Sequence, residues 1–385
     1  MPAPPPFLLG ALLHAALRAC LVLLPLVAMV PLACSSGAGP GSATRVPGDA
    51  PAATSPPGTR PGVRSSSRPA GTPTLPPAAQ PSGAAVTLAF GGDVHFEGAS
   101  RSALSGGLAD IAPLLSGADL AMVNLETAVT ERGTPAPGKA FHFRAPASAF
   151  RALARAGVDV ATMANNHGLD FGQQGLRDSL AAASAARFPV VGIGRDADAA
   201  FAARVFTVKG QRIAFLGATQ VLDDNLAAAW TAGPGKPGLA SAKAEARLVE
   251  AVRRARQSAD TVVIYLHWGR ERTACPLPRQ RSLALALVAS GADVVVGSHA
   301  HVLLGGGRLG GAYVDYGLGN FVFYAQGGTA AQSGVLTLTV RGRAVTAHRW
   351  SPATIFGGVP YPLTGSAASV VETWWEQLRR CTGLG

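Results

Sequence analysis

The chain has 385 residues, with 33 Lys and Arg against 22 Asp and Glu and a formal charge of +11. That balance favours an anionic partner, yet the basic residues form no clustered stripe and there is no aromatic platform, so a nucleic-acid module is excluded. Length alone permits two domains, but the first 85 or so residues have no foldable pattern, which leaves about 300 for one large α/β domain.

Residues 1–34 carry one basic residue, Arg18, then an apolar run from Ala19 to Leu32, then Ala33-Cys34 followed by Ser35, Ser36 and Gly37. This is the pattern of an export signal. The small residues before Cys34 resemble the bacterial lipoprotein cleavage box, whose cysteine becomes a lipidated amino terminus. Pro31 departs from that box, and ordinary cleavage or a retained anchor helix are the alternatives. Residues 35–84 are mostly Pro, Ser, Gly, Ala and Thr with no aromatic residue. Nothing there buries enough surface to offset chain entropy, so the stretch is expected to be a disordered tether. Signal and tether together carry +4, which leaves +7 on residues 85–385.

The domain begins with an apolar run, Val86 to Phe90, that stops at Gly91-Gly92, and the same grammar recurs at Leu120 to Val123, Val158 to Met163, Val262 to Leu266 and Val294 to Val296. Continuous apolar strands are buried on both faces. Helical patterns lie between them, at Ala147 to Ala156, Gly172 to Ala186, Ala242 to Ser258 and Arg279 to Ser290. The alternation implies βαβ crossovers, with functional groups at the strand carboxyl ends. Two hairpins, Val205 to Val208 with Ile213 to Leu216 and Val335 to Val340 with Ala344 to Trp350, point to a second, more antiparallel sheet. Ala367 to Arg380 reads as a final amphipathic helix.

Polar clusters stand where these strands run out: Gly92-Asp93-Val94-His95, Asn124-Leu125-Glu126, Asn165-Asn166-His167, Leu266-His267-Trp268 and Gly297-Ser298-His299-Ala300-His301. Carboxylate, amide and imidazole donors suit a borderline divalent metal pair, with one carboxylate free to bridge. Singly each cluster is weak, because a strand-end Asp or His more often satisfies loop backbone groups. Asn165 and Asn320 read as turn formers, and Asp170 as either an orienting partner of His167 or a solvated acid.

The clusters resemble the metal-binding motifs of the calcineurin-like metallophosphoesterase superfamily, and their wording resembles its bacterial CapA-type branch of polyglutamate capsule-synthesis proteins. Phe90-Gly91-Gly92-Asp93-Val94, Val123-Asn124-Leu125-Glu126-Thr127, Ala164-Asn165-Asn166-His167-Gly168-Leu169-Asp170, Leu266-His267-Trp268-Gly269, Gly291 to Gly297 and Leu318-Gly319-Asn320-Phe321 carry the resemblance in the family's order. It implies a four-layer αββα sandwich and two divalent ions, manganese, zinc or iron. On it Asp93, His95 and His301 fall on the first metal, Asn166, His267 and His299 on the second, and Glu126 at the bridging position. It places His167 beside the leaving group, with Asp170 as its orienting candidate. Arg144 and Arg270 are candidate contacts to an anionic substrate.

Two functions follow as expectations. One is metal-dependent phosphoester hydrolysis, and the other is a non-catalytic, polymer-binding or export-accessory role beside capsule synthesis proteins. The ligand of either is anionic, a phosphoester or polyglutamate. The protein is expected outside the cytoplasm, anchored to the membrane through lipid or signal, with Cys275 and Cys381 a candidate disulfide.

Overall fold

The computed structural model describes residues 75–77, 79–325 and 327–385. The export signal, the lipidation box at Cys34 and most of the tether lie outside the described residues. Within the last part of the stretch assigned to the tether, Leu75 packs on the body and the Ser82 amide donates to Arg341 O at 3.2 Å.

Two sheets stack face to face. The first has eight strands in the order Val359–Pro362, Ala344–Phe356, Gln332–Arg341, Val86–Val94, Leu120–Leu125, Val160–Thr162 and Val190–Val191, with Asn320–Val322 paired parallel to Val86–Val94 off this path. The second has six, ordered Gly306–Leu309, Ala312–Asp315, Val294–Ser298, Thr261–His267, Gln211–Thr219 and Arg204–Val208. Each has parallel strands at its centre and antiparallel ones at its margin.

Alternation along each strand builds three cores. In Val86–Val94, Leu88 and Phe90 point between the sheets while Ala89 points to the helices; in Thr261–His267, Val263 and Tyr265 point inward while Val262, Ile264 and Leu266 point outward. All are fully buried, and each large apolar side chain so buried contributes roughly 1.5–3 kcal/mol. Helices Ser148–Arg155 and Gly172–Ala185 cover the first sheet, and Glu245–Ser258 and Pro278–Ala289 cover the second. Glu245–Ser258 shows why: Leu248, Ala251, Val252 and Ala255 form one buried stripe at helical spacing, and Glu245 and Arg256 suit the two ends of its dipole. The layers are therefore α, β, β, α, as the sequence leads one to expect.

The hairpins do not form one antiparallel second sheet. Arg204–Val208 with Gln211–Thr219 ends the second sheet, whereas Gln332–Arg341 with Ala344–Phe356 extends the first by pairing Val340 with Val86. A turn fixes the partner within a hairpin, but the sheet it joins is set by long-range pairing. The strands also run further than their apolar stretches, so Asp93 and Asn124 lie inside strands rather than after them. The terminal helix, Gly365–Leu378, buries Trp375 against the inter-sheet core.

Candidate metal centre

The carboxyl ends of both sheets meet at one place. Asp93 and Asn124 are register partners in the first sheet, and His267 and Ser298 are partners in the second. Across the junction His267 Nδ1 lies 3.8 Å from Asp93 Oδ1, and His267 Nε2 lies 3.4 Å from Glu126 Oε1. The Gly91-Gly92 interruption makes this approach possible: a Cβ on Gly92 would sit 2.0 Å from Gly319 O, where the chain leading to Asn320 crosses. Asp93 N–H donates to that same carbonyl at 2.9 Å.

Two donor groups converge. Asp93, Glu126 and His267 form one, and Glu126, His299 and His301 the other, with the ligand atoms of each group within 4.8 Å of one another. Glu126 belongs to both, as a bridging carboxylate would. Asn166 Oδ1 lies 2.7 Å from His267 Nε2, so these two also point into a common space. His95 belongs to neither group; it is fully buried, its ring tilted against Phe143, Phe323 and Tyr324 at 4.7, 4.0 and 4.6 Å between ring centroids.

The residues present fit a metal. His95 Nε2, both Glu126 carboxylate oxygens and His299 Nδ1 are buried with no hydrogen-bond partner. A buried unpaired polar atom costs about 1–3 kcal/mol, and a cation held by Glu126 and His299, which share a donor group, would take the lone pairs left open there. The opposite edges of the rings are fixed. His95 Nδ1 lies 3.0 Å from Ser100 Oγ, and His301 Nδ1 lies 2.8 Å from Asn320 Oδ1. Outer partners of this kind orient ligating imidazoles.

The electrostatics are those of a crowded buried site. Burial would raise the Asp93 carboxyl, but the hydrogen bond from His301 and the charges of His267 and His301 hold it well below the usual carboxylate range. Burial would lower His301, yet Glu126 and Asp93 raise it to about 9. Burial and the neighbouring His167 and His301 push His95 down to about 3, and burial with His267 depresses His299.

The His299-Ala300-His301 turn lies just past the strand Val294–Ser298. Both histidines have positive φ, 96° and 54°. Such conformations cost roughly 1–3 kcal/mol each and persist only where the surroundings over-determine them. Here His299 N–H donates to Asp93 Oδ2 at 3.1 Å, Ala300 O accepts from Arg272 N–H at 2.7 Å, and His301 O accepts from Asn320 Nδ2 at 3.3 Å.

His167 sits at the edge, its ring stacked on Phe143 at 4.1 Å and its Nδ1 held by Asp170 Oδ2 at 2.5 Å. Asp170 is fully buried and also accepts from Phe143 N–H. Arg144 and Arg270 stand apart: the Arg144 guanidinium covers the Phe171 ring at 3.5 Å, and Arg270 Nε donates to Thr273 Oγ1. Neither side chain bonds a donor residue among the described residues.

Asn124 and Asn165, which the sequence places in the clusters without a site role, and Lys139, which it does not mark, also belong to the site. Asn124 donates to Asp93 Oδ1 at 2.7 Å and approaches His267 Nδ1 at 3.1 Å, while Asn165 Nδ2 donates to Asn124 Oδ1 at 3.0 Å, so the two amides bolt the first three clusters together. Asn124 stands two residues before Glu126, which was the available signal. Lys139 contacts Asp170 and the Asn166 carbonyl, and nothing in its Gly-Lys-Ala setting marks it. Two neighbouring cavities of about 310 and 340 Å³, sharing Leu180, Val190 and Arg204, include no donor residue, so cavity size does not locate this site.

The family described as bacterial capsule synthesis protein PGA_cap matches residues 87–325. The PGA biosynthesis protein CapA of Bacillus subtilis (strain 168) is 33% identical over 228 residues, covering 59% of this chain and 58% of that protein. The capsule biosynthesis protein CapA of Bacillus anthracis is 31% identical over 283 residues, covering 71% of this chain and 67% of that protein. The chain thus spans only 58% of the length of the first of these relatives. Among solved structures, one described as a novel phosphatase from Mycoplasma pneumoniae overlaps with a TM-score of 0.46 at 16% identity, over 70% of this chain and 94% of that one. A likeness at that level adds nothing to the fold already described.

Proposed function

This chain belongs to the bacterial capsule synthesis protein PGA_cap family, and from that premise we propose an envelope protein that holds two divalent cations and hydrolyses a phosphoester during the making of a capsule-type polymer. The observation that carries the reading is the set of four buried donor atoms without partners, on His95, Glu126 and His299. Asp93, His95 and His301 would hold one cation, Asn166, His267 and His299 the other, and Glu126 would serve both. Imidazole, carboxylate and amide suit manganese, zinc or iron.

The bound cations would supply Lewis-acid charge stabilisation and water activation at neutral pH. The chain's own residues would do the rest. His167, fixed through Nδ1 by Asp170, presents its other nitrogen as a proton donor for a departing oxygen. Phe143 and Phe323 press on His95 and exclude water from that side. Arg144 and Arg270 are assigned to an anionic substrate only through a rearrangement of their present contacts.

The near-complete burial of the donors favours a second reading, a metal-stabilised accessory domain that binds polymer without turnover. His301 is the most open of the donor histidines, with 18% of its side chain exposed. Export and membrane attachment through Cys34 complete the proposal, with capsule-synthesis or export proteins as partners. Retention of the mature protein in the detergent phase of a Triton X-114 partition is the expected result.

Elemental analysis of the purified mature protein, together with a panel of aryl phosphate mono- and diesters, tests the function. Two metal equivalents and metal-dependent turnover that is lost in Asp93→Ala and in His167→Ala are expected. Bound metal without turnover on any ester selects the accessory reading. A protein that binds no divalent cation defeats both.

A further inference from the structure

The loop that follows His267 is the part of the site closest to a covalent tie. Cys275, exposed at its surface, is bonded to Cys381, 106 positions further along the chain, with the Cα atoms 5.7 Å apart. Arg272, three residues before Cys275, donates its amide to Ala300 O at 2.7 Å, between the two donor histidines His299 and His301. Arg272 itself has a positive φ of 57°. Among the described residues the other hydrogen bonds of 270–273 are local, from Arg270 Nε to Thr273 Oγ1, from Thr273 Oγ1 to Glu271 O and from Thr273 N–H to Arg270 O.

The far end of the bond is anchored independently of the site. The Arg281 guanidinium donates to the carbonyls of Cys381 and Thr382, and Gly385 exchanges backbone hydrogen bonds with Arg308 at 2.8 and 3.0 Å. The disulfide therefore ties the loop that braces the His299–His301 turn to a fixed strut on the second sheet. That turn holds two non-glycine residues in a conformation they leave when released.

We infer that the Cys275–Cys381 bond is a latch on the metal centre, which keeps Arg272 on Ala300 and thereby raises the affinity for divalent cations in the oxidised chain. Closing it removes two protons and two electrons from the thiols, which pass to a disulfide-bearing oxidant that leaves as two thiols. With the latch open, the binding-competent turn is populated for only a fraction of the time, and the apparent dissociation constant rises by the inverse of that fraction. The inference rests on the metal reading proposed above and adds to it that the site reaches full affinity where thiols are oxidised.

The test compares Mn²⁺ and Zn²⁺ affinity by competition with a chromophoric chelator. The proteins are oxidised wild type and Cys275→Ser/Cys381→Ser, held well below both melting temperatures. Serine is used because free thiolates would themselves bind metal. A dissociation constant at least about tenfold weaker in the variant is expected. Hydrogen exchange should be faster over residues 268–277 and 297–303 and unchanged in the strands Thr261–His267 and Leu120–Leu125. Equal affinity in a folded variant overturns the latch. Should the double variant not fold, wild type reduced and alkylated with iodoacetamide replaces it, read the same way. If oxidised wild type binds neither ion, the metal reading has failed and the latch falls with it, whereas equal tight binding sinks the latch alone.

Discussion

Lys139 Nζ lies 2.6 Å from Asp170 Oδ1, with 6% of the lysine side chain and none of the aspartate exposed. The same lysine donates to the Asn166 carbonyl and lies 5.0 Å from the Trp230 ring centroid. It thus joins the candidate ligand segment to the acid that holds His167. Breaking a buried pair strands the remaining charge, which costs roughly 3–5 kcal/mol. Lys139→Met is expected to lose about that much in urea unfolding, and adding Asp170→Asn should recover part of it by removing the stranded carboxylate. A loss below about 1 kcal/mol for the single variant would mean that the pair is solvated in solution.

Glu126 is shared by both donor groups, whereas Asn320 belongs to neither and meets His301 at its Nδ1 and its backbone carbonyl. A carboxylate between two cations offsets their repulsion, and an outer partner commonly changes affinity by only about 10–100-fold. At a hundred times its dissociation constant a bound ion adds about 2.7 kcal/mol of stability. The wild-type melting temperature should therefore climb with Mn²⁺, the Glu126→Gln curve should stay flat over the same range, and Asn320→Ala should climb at higher concentration. Identical shifts in wild type and Glu126→Gln would remove Glu126 from the ligand set.

Much of this was legible in the residues themselves. Asp93, Glu126, Asn166, His267 and His299 each follow an apolar run, and parallel strands deliver their ends to one edge, so a local pattern carries a long-range fact. Lys139 was not legible, because its partner lies 31 residues away on a loop and no period links them. Asn320 follows Gly319 and so reads as a turn former, yet it opens the strand Asn320–Val322, and only the fold brings His301 to it. Placing the two hairpins in different sheets depends on pairings such as Val86 with Val340, which no turn encodes.

Gly92 offers a test of the crossing that brings Asn320 to the site. An added Cβ would meet Gly319 O at 2.0 Å and Leu318 O at 2.8 Å, both of them backbone atoms that cannot rotate away. Gly92→Ala should destabilise by at least the 1–3 kcal/mol or so typical of overpacking. It should also weaken Mn²⁺ binding, since Asn320 must move with the chain. Unchanged stability in urea would show that this crossing is loose.

Asp315 sets a pH dependence away from the donor residues. Its Oδ1 accepts from Gly317 N–H at 2.9 Å, its Oδ2 is buried without a partner, and burial pushes its carboxyl up to about 7. Because the folded value exceeds the unfolded one, near 3.9, the folded chain keeps this proton after the unfolded chain has lost it. Stability from this group is full below about pH 4, falls as pH rises toward 7 and is level above, a change on the order of 4 kcal/mol. Asp315→Asn keeps an acceptor for Gly317 and cannot ionise. Its stability relative to wild type should therefore rise steadily from pH 4 to 7 in urea titrations, while titrations common to both proteins drop out of the difference. Parallel stability curves across that range would show that Asp315 is ionised in the folded protein.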